Sequence, residues 1–134
     1  MTSFDYKLTV YYKDVDQMGI VYYTRYLEYF EAARTEMLKS IGIIVTEIEK
    51  EGFYLPVVSA HSDYKKGAHF EDELIVKTSI NTMPKARLKI DYVIMRGNDI
   101  LVEGYTVHGF TNHDGKPKRP PKSFINTLSP FFKK

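Results

Sequence analysis

One long stretch of the chain, from about Tyr23 to Ile41, repeats its apolar side chains at helical intervals, and strand-like patterns stand on both sides of it. Tyr23, Leu27, Phe30, Met37, Leu38 and Ile41 recur with Arg25, Glu28, Glu31 and Lys39 mostly between them, which predicts an amphipathic helix with one buried stripe. Such a helix needs an apolar surface to lie on, and the flanking sequence offers one. Before it, Tyr6, Leu8, Val10 and Tyr12 alternate with Lys7, Thr9 and Tyr11, the period of two expected for a strand with one face buried. After it come four more strand candidates, about Tyr54 to Tyr64, Asp72 to Asn81, Ala86 to Met95 and Ile100 to Thr111. Gly67, Met83-Pro84, Gly97-Asn98-Asp99 and Asp114-Gly115 punctuate them, and the short links predict antiparallel neighbours in succession.

Gly42 is placed to end the long helix, while Thr46 with Glu49 resembles a weak capping box for a short second helix closed by Gly52. The tail starts with the proline-rich KPKRPPK and ends in a short helix around Phe124 to Leu128. One strand, one long helix and four strands suit an α+β fold in which a five-stranded antiparallel sheet packs on a single helix, as one domain over residues 1–134. Such a sheet has two open edges and a face too wide for one helix, so a homodimer is expected.

Composition narrows the chemistry. The absence of cysteine removes disulfides, thiolate nucleophiles and cysteine-bound zinc, and the four histidines form no H-E-x-x-H pattern, so no metal or redox cofactor is expected. A net charge of +2 is too small to point to nucleic acid. No segment approaches the roughly 18 apolar residues of a membrane span, and MTSFDYKLTV lacks a basic start followed by an apolar run. A soluble, unexported, cytoplasmic protein is expected.

The residues from Tyr11 to Arg34 carry the most chemistry. Asp14 and Asp16 are two acids in a short loop, either of which could serve as nucleophile or general base. Gly19 lets backbone approach a ligand or turn sharply. Tyr22 to Thr24 stand where the helix begins, and free N–H groups there can bind an oxygen that becomes negative. The competing reading is structural: acids before a helix commonly cap it or favour its dipole, and Tyr22, Tyr23, Tyr26, Tyr29 and Phe30 suit core and interface packing.

The pattern D-x-D-x-x-G-I-V-Y-Y-x-x-Y-L-x-x-F-E-x-A-R, from Asp14 to Arg34, resembles the signature of the 4-hydroxybenzoyl-CoA thioesterase family and its Tol-Pal-associated relatives. V-x-A-H-S-D-Y-x-x-x-A-x-F-x-D-E-L-I-V, from Val58 to Val76, extends the likeness over most of the chain. The resemblance implies the hotdog fold, a five-stranded antiparallel sheet wrapped around a central helix, with two subunits sharing each active site and dimers that can pair into tetramers. It implies an acyl-CoA thioesterase with Asp16 as nucleophile or general base, the Tyr23 backbone N–H as oxyanion donor, Gly19 as the motif glycine, and Asp14 in a structural role. Many Tol-Pal-associated relatives carry histidine after the V-Y pair, where this chain has Tyr23 as the hydroxybenzoyl branch does.

Coenzyme A, as part of the substrate, brings phosphates that need cations. Lys85, Arg87 and Lys89 alternate on one strand face and are the first candidates; Lys116, Lys118, Arg119 and Lys122 are the second. An acidic acyl carrier protein could use the same surface. A hotdog dehydratase is disfavoured because the helix lacks histidine, and the remaining alternative is a noncatalytic acyl-carrier-binding or scaffolding subunit with the same fold.

Overall fold

The computed structural model describes residues 1–132. The long helix, α1, runs Arg25–Ser40, with Tyr22 to Thr24 forming the turn that leads into it. Its C-terminus closes where sequence places it. Gly42 takes φ +95°, Gly42 N–H donates to Lys39 O at 3.1 Å, and Ile43 N–H donates to Leu38 O at 2.8 Å, a Schellman closure with Ile43 and Leu38 both buried. The short helix α2, Val45–Lys50, starts one residue before Thr46, so the Thr46–Glu49 capping box does not form and Ile44 occupies the N-cap. The tail helix α3, Lys122–Leu128, inserts Phe124 and Leu128 into the core, Phe124 meeting the edge of Phe110.

The five strands are β1 Thr2–Thr9, β2 Val57–Tyr64, β3 Glu73–Ile80, β4 Arg87–Arg96 and β5 Asp99–Gly109. They form one antiparallel sheet in the order β1-β3-β4-β5-β2. Two expectations need correction. β1 starts before Tyr6 and ends before Tyr12, because it pairs along the full length of β3 from Thr2↔Ile80 to Thr9↔Glu73 before the chain turns away. β2 is not the neighbour of β3 either: β1 and β4 occupy the two sides of β3, so the link through residues 65–72 crosses to the far side of the sheet and leaves β2 paired with β5. The hairpin links at Met83-Pro84 and Gly97-Asn98-Asp99 join neighbours as expected.

α1 lies over the β1 and β3 side of the sheet. One aromatic contact sets its height: the Phe30 ring stacks on Tyr92 of β4 with centroids 4.2 Å apart and planes 8° apart. Tyr92 pairs with Gly104 of β5, and a Cβ on Gly104 would stand 3.0 Å from two Phe30 ring atoms and closer still to the His61 carbonyl of β2. Glycine is needed there because ring and neighbouring strand both occupy the side-chain position. β2, at the other edge, stays open: seven of its eight residues are exposed, including Val57, Val58 and Tyr64. Among the described residues no helix is long and apolar enough to cross a membrane.

Gly104→Ala is expected to destabilise the fold by about 1–3 kcal/mol, the usual cost of overpacking, measured as a lowered denaturant midpoint. An unchanged midpoint would show that Phe30 and β2 can yield without cost.

Candidate active site

Asp16 stands at the tip of a small hairpin inserted between β1 and α1. Val15 bridges Val21, Asp16 N–H donates to Ile20 O at 2.9 Å, and Tyr22 N–H donates to Asp14 O at 2.9 Å. Gly19 closes the tip with φ +79° and its N–H on Asp16 O at 3.0 Å. A Cβ at Gly19 would meet nothing within 4 Å, so the backbone angle alone selects glycine. The Asp16 carboxylate accepts the Met18 N–H at 2.8 Å through Oδ1, an Asx turn, and no second donor reaches it among the described residues.

The two aspartates differ in what surrounds them. Asp14 is buried and accepts the Tyr11 N–H at 3.1 Å and the Lys13 ammonium at 3.3 Å, which fixes the 3-10 turn Tyr12–Asp14. Neither aspartate caps α1, whose N-cap is Thr24 with no side-chain bond. Asp14 instead caps the 3-10 turn by accepting the Tyr11 N–H. Tyr29 on α1 buries its hydroxyl beside the Asp14 carboxylate, and burial together with that adjacent charge raises its pKa. Tyr26, Tyr29 and Phe30 are buried, while Tyr22 and Tyr23 are 48% and 57% exposed beside the hairpin. The Tyr23 N–H has no acceptor among the described residues.

The crossing link holds this hairpin in place, a relation sequence patterning did not reveal. Val21 N–H donates to Ala68 O at 2.8 Å, Ile20 bridges His69, and Glu71 N–H donates to Val10 O at 2.9 Å. Glu71 itself has φ +70°, an unusual angle for a residue with a side chain. Arg96, the last residue of β4, ties the link down: its guanidinium reaches Asp72 at 2.7 Å and the Gly67 carbonyl at 3.3 Å. Burial alone would raise the Asp72 pKa, but the His69 N–H and the Arg96 charge more than offset it and hold the carboxyl below its ordinary value.

The expected cations lie elsewhere. Arg87 opens β4 and Arg96 closes it, so the Arg87 end of the strand is roughly 30 Å from the end that braces the hairpin. Lys85, Arg87 and Lys89 are exposed, and Lys89 is engaged with Asp91 at 3.7 Å and over the Tyr105 ring at 4.6 Å. One subunit does not bring these three to Asp16. Lys65 and Lys66, which follow Tyr64, reach Glu103 at 3.8 Å and Asp99 at 3.3 Å. A groove of about 850 Å³ between β1 and α1 is lined by Tyr6, Leu8, Asp14, Glu28, Tyr29 and Ala32; it touches the loop at Asp14 without including Asp16 or Tyr23.

A buried polar chain, also missed from sequence, sits toward the Arg87 end. The Leu55 carbonyl can only accept, so the His108 Nδ1–H donates to it at 3.1 Å; Thr106 then donates to His108 Nε2 at 2.8 Å and Tyr92 to Thr106 at 2.7 Å. Burial lowers the His108 pKa, with the Arg34 charge adding to it, which keeps the ring neutral in this chain of bonds.

The profile of the thioesterase-like superfamily matches residues 10–128. The chain belongs to that superfamily. It is 33% identical over 106 residues to the acyl-CoA thioesterase YbgC of Haemophilus influenzae, covering 78% of this chain and 77% of that one. It is 39% identical over 74 residues to the putative acyl-CoA thioesterase YneP of Bacillus subtilis, a match spanning 55% of this chain and 54% of that protein. The crystal structure of Slr0204, a 1,4-dihydroxy-2-naphthoyl-CoA thioesterase from Synechocystis, superposes with a TM-score of 0.88 at 26% identity over 98% of this chain and 99% of that one. The fold is thus the hotdog fold that the Asp14–Arg34 pattern implied. In this thioesterase-like chain the hairpin is joined to the crossing link by backbone bonds, and the Arg96 side chain ties that link down.

Arg96→Met should raise the Asp72 pKa toward its ordinary value of 3.8. A depressed carboxylate stabilises the fold at pH above that ordinary value and loses its contribution as pH falls through the folded pKa. Acid unfolding of the variant is therefore expected at higher pH than wild type, followed by circular dichroism with a carboxyl NMR titration of Asp72. Coincident acid transitions would show that the ion pair does not brace the link.

Proposed function

We propose that the protein hydrolyses an acyl-CoA thioester to the free acid and coenzyme A, with Asp16 acting on the thioester carbonyl and the Tyr23 N–H binding the oxyanion. The observation that carries this reading is that, among the described residues, the acid at the hairpin tip is engaged only at its own turn and the Tyr23 N–H, where the hairpin leads into α1, has no acceptor. Asp16 either attacks the carbonyl carbon, forming a mixed anhydride and releasing the thiolate before water cleaves the anhydride, or takes a proton from a water that attacks directly. Both routes place negative charge on the carbonyl oxygen. The N–H and the positive end of α1 meet that charge where it develops, an interaction whose loss typically costs about 100- to 1,000-fold in turnover. The names of the similar proteins, acyl-CoA thioesterases and an aromatic acyl-CoA thioesterase, support the substrate class. No metal or redox cofactor enters either route.

The working unit is a homodimer. β2 offers an unpaired edge and exposed Val57, Val58 and Tyr64, and Tyr22 and Tyr23 stand exposed beside Asp16. A second copy would cover this side and close the site from solvent. Lys85, Arg87 and Lys89 can serve the coenzyme A phosphates only from another subunit, given their distance from the hairpin within one. An acyl carrier protein is the alternative carrier for the acyl group, and two such dimers pair into a tetramer in the same scheme.

Purified protein should release free thiol from at least one member of a panel of short, long and aromatic acyl-CoAs. Asp16→Asn should lower turnover by roughly 100- to 10,000-fold with the melting transition unchanged. If wild type cleaves none of the panel the thioesterase reading fails, and equal activity in the variant removes the role given to Asp16. Sedimentation equilibrium is expected to give a dimer or a multiple of it; a monomer at assay concentration would sink the shared-site scheme.

A further inference from the structure

We infer that Tyr64, the last residue of β2, is a positioning residue for the oxyanion turn, acting without touching substrate through the Tyr23–Thr24 peptide, the one that follows the donor's own; the inference rests on the thioesterase reading above. Its hydroxyl donates to the Tyr23 carbonyl at 3.4 Å, across a sequence separation that joins the edge strand to the entry of α1. The same carbonyl accepts the Tyr26 N–H at 3.3 Å, and both bonds are long, so neither alone holds it firmly. The preceding carbonyl, Tyr22, is fixed from the helix side by Arg25 N–H at 2.8 Å. Tyr23 thus hangs between one peptide held by the helix and one held jointly by the helix and the sheet.

The Tyr64 ring is itself located by two others. It packs against Tyr26 at 5.5 Å between centroids and meets Tyr23 edge-on at 6.2 Å, with planes 79° apart. The Tyr26 hydroxyl accepts the Ala68 N–H at 3.1 Å, and the Ala68 carbonyl accepts the Val21 N–H at 2.8 Å. A closed circuit results: Val21 to Ala68, Ala68 to Tyr26, Tyr26 to Tyr64, and Tyr64 back to Tyr23. It encloses the segment that carries the oxyanion donor.

The two tyrosines of this circuit do different work. Tyr26 is 3% exposed, and its hydroxyl satisfies a buried backbone N–H, so its removal would strand that donor. Tyr64 is 47% exposed and its partner carbonyl keeps another donor, so its hydroxyl contributes little to folding. What it constrains is where the Tyr23 backbone sits, and small misplacements of such a donor are costly in turnover.

The test compares Tyr64→Phe, Tyr26→Phe and wild type on whichever acyl-CoA the wild-type panel identifies, reading kcat, KM and melting temperature. Wild-type hydrolysis establishes the underlying reading first, so a silent panel counts against that reading and leaves nothing to attribute to Tyr64. With an active wild type, Tyr64→Phe is expected to lower kcat by roughly 5- to 50-fold, short of losing the donor outright, with KM and melting temperature unchanged. Tyr26→Phe is expected to lower melting temperature and kcat together. The inference is overturned if Tyr64→Phe keeps wild-type kcat, if KM rises while kcat holds, which would make the hydroxyl a substrate contact, or if its kcat falls only in step with its melting temperature.

Discussion

The stack of Phe30 on Tyr92, seated in the space Gly104 leaves, is the contact on which the remaining geometry depends. It fixes how close α1 lies to the sheet and where along the helix the closest approach falls. Burying a ring of this size contributes roughly 1.5–3 kcal/mol, yet its positional effect is larger than its energetic one. Phe30 stands just over one turn from the start of α1, so holding Phe30 also holds Tyr22 to Thr24 relative to β4 and β5. Tyr26, on the same face, then reaches Ala68 and Tyr64, and the hairpin inherits its place from the helix.

Period and punctuation carried most of the fold. The helix stripe, the Gly42 closure and the hairpin turns were legible because each depends on residues close in sequence. The strand order was not. Whether a link such as residues 65–72 makes a tight hairpin or crosses to another edge depends on which sides of β3 are already taken, and β1 takes one of them from the far end of the chain. The same link then supplies the acceptor for Val21 and the anchor for Arg96, contacts between residues that no local pattern relates. The missed Thr46–Glu49 box has a similar cause: α2 starts at Val45, a residue that packs on the core, and packing overrode the weak capping signal.

The candidate site was legible in its residue types but not in their separation. Two aspartates two residues apart look alike in a sequence. In the fold one is buried against the Tyr11 N–H and a lysine, and the other stands at a hairpin tip where, among the described residues, only its own turn bonds it. Asp14 ends the 3-10 turn before the hairpin begins, whereas Asp16 lies beyond the Val15–Val21 bridge toward the tip. Position before or beyond that bridge separates a buried acid from an available one.

The placement of charge carries the last step. An acid that must attack or activate a nucleophile gains from exposure to substrate, whereas cations that hold phosphates need distance from it, because a nearby ammonium would stabilise the resting carboxylate and blunt its reactivity. β4 provides that distance: the brace for the acid ends the strand at Arg96, and Arg87 and Lys89 begin it. Coenzyme A is long enough to need both functions, and a single strand cannot fold back to bring its two ends together. In the dimer proposed above, an antiparallel second copy joined along the open β2 edge would reverse strand direction across the interface and set the basic end of one sheet against the hairpin end of the other. On that proposal the open edge and the separated charges are two aspects of one arrangement.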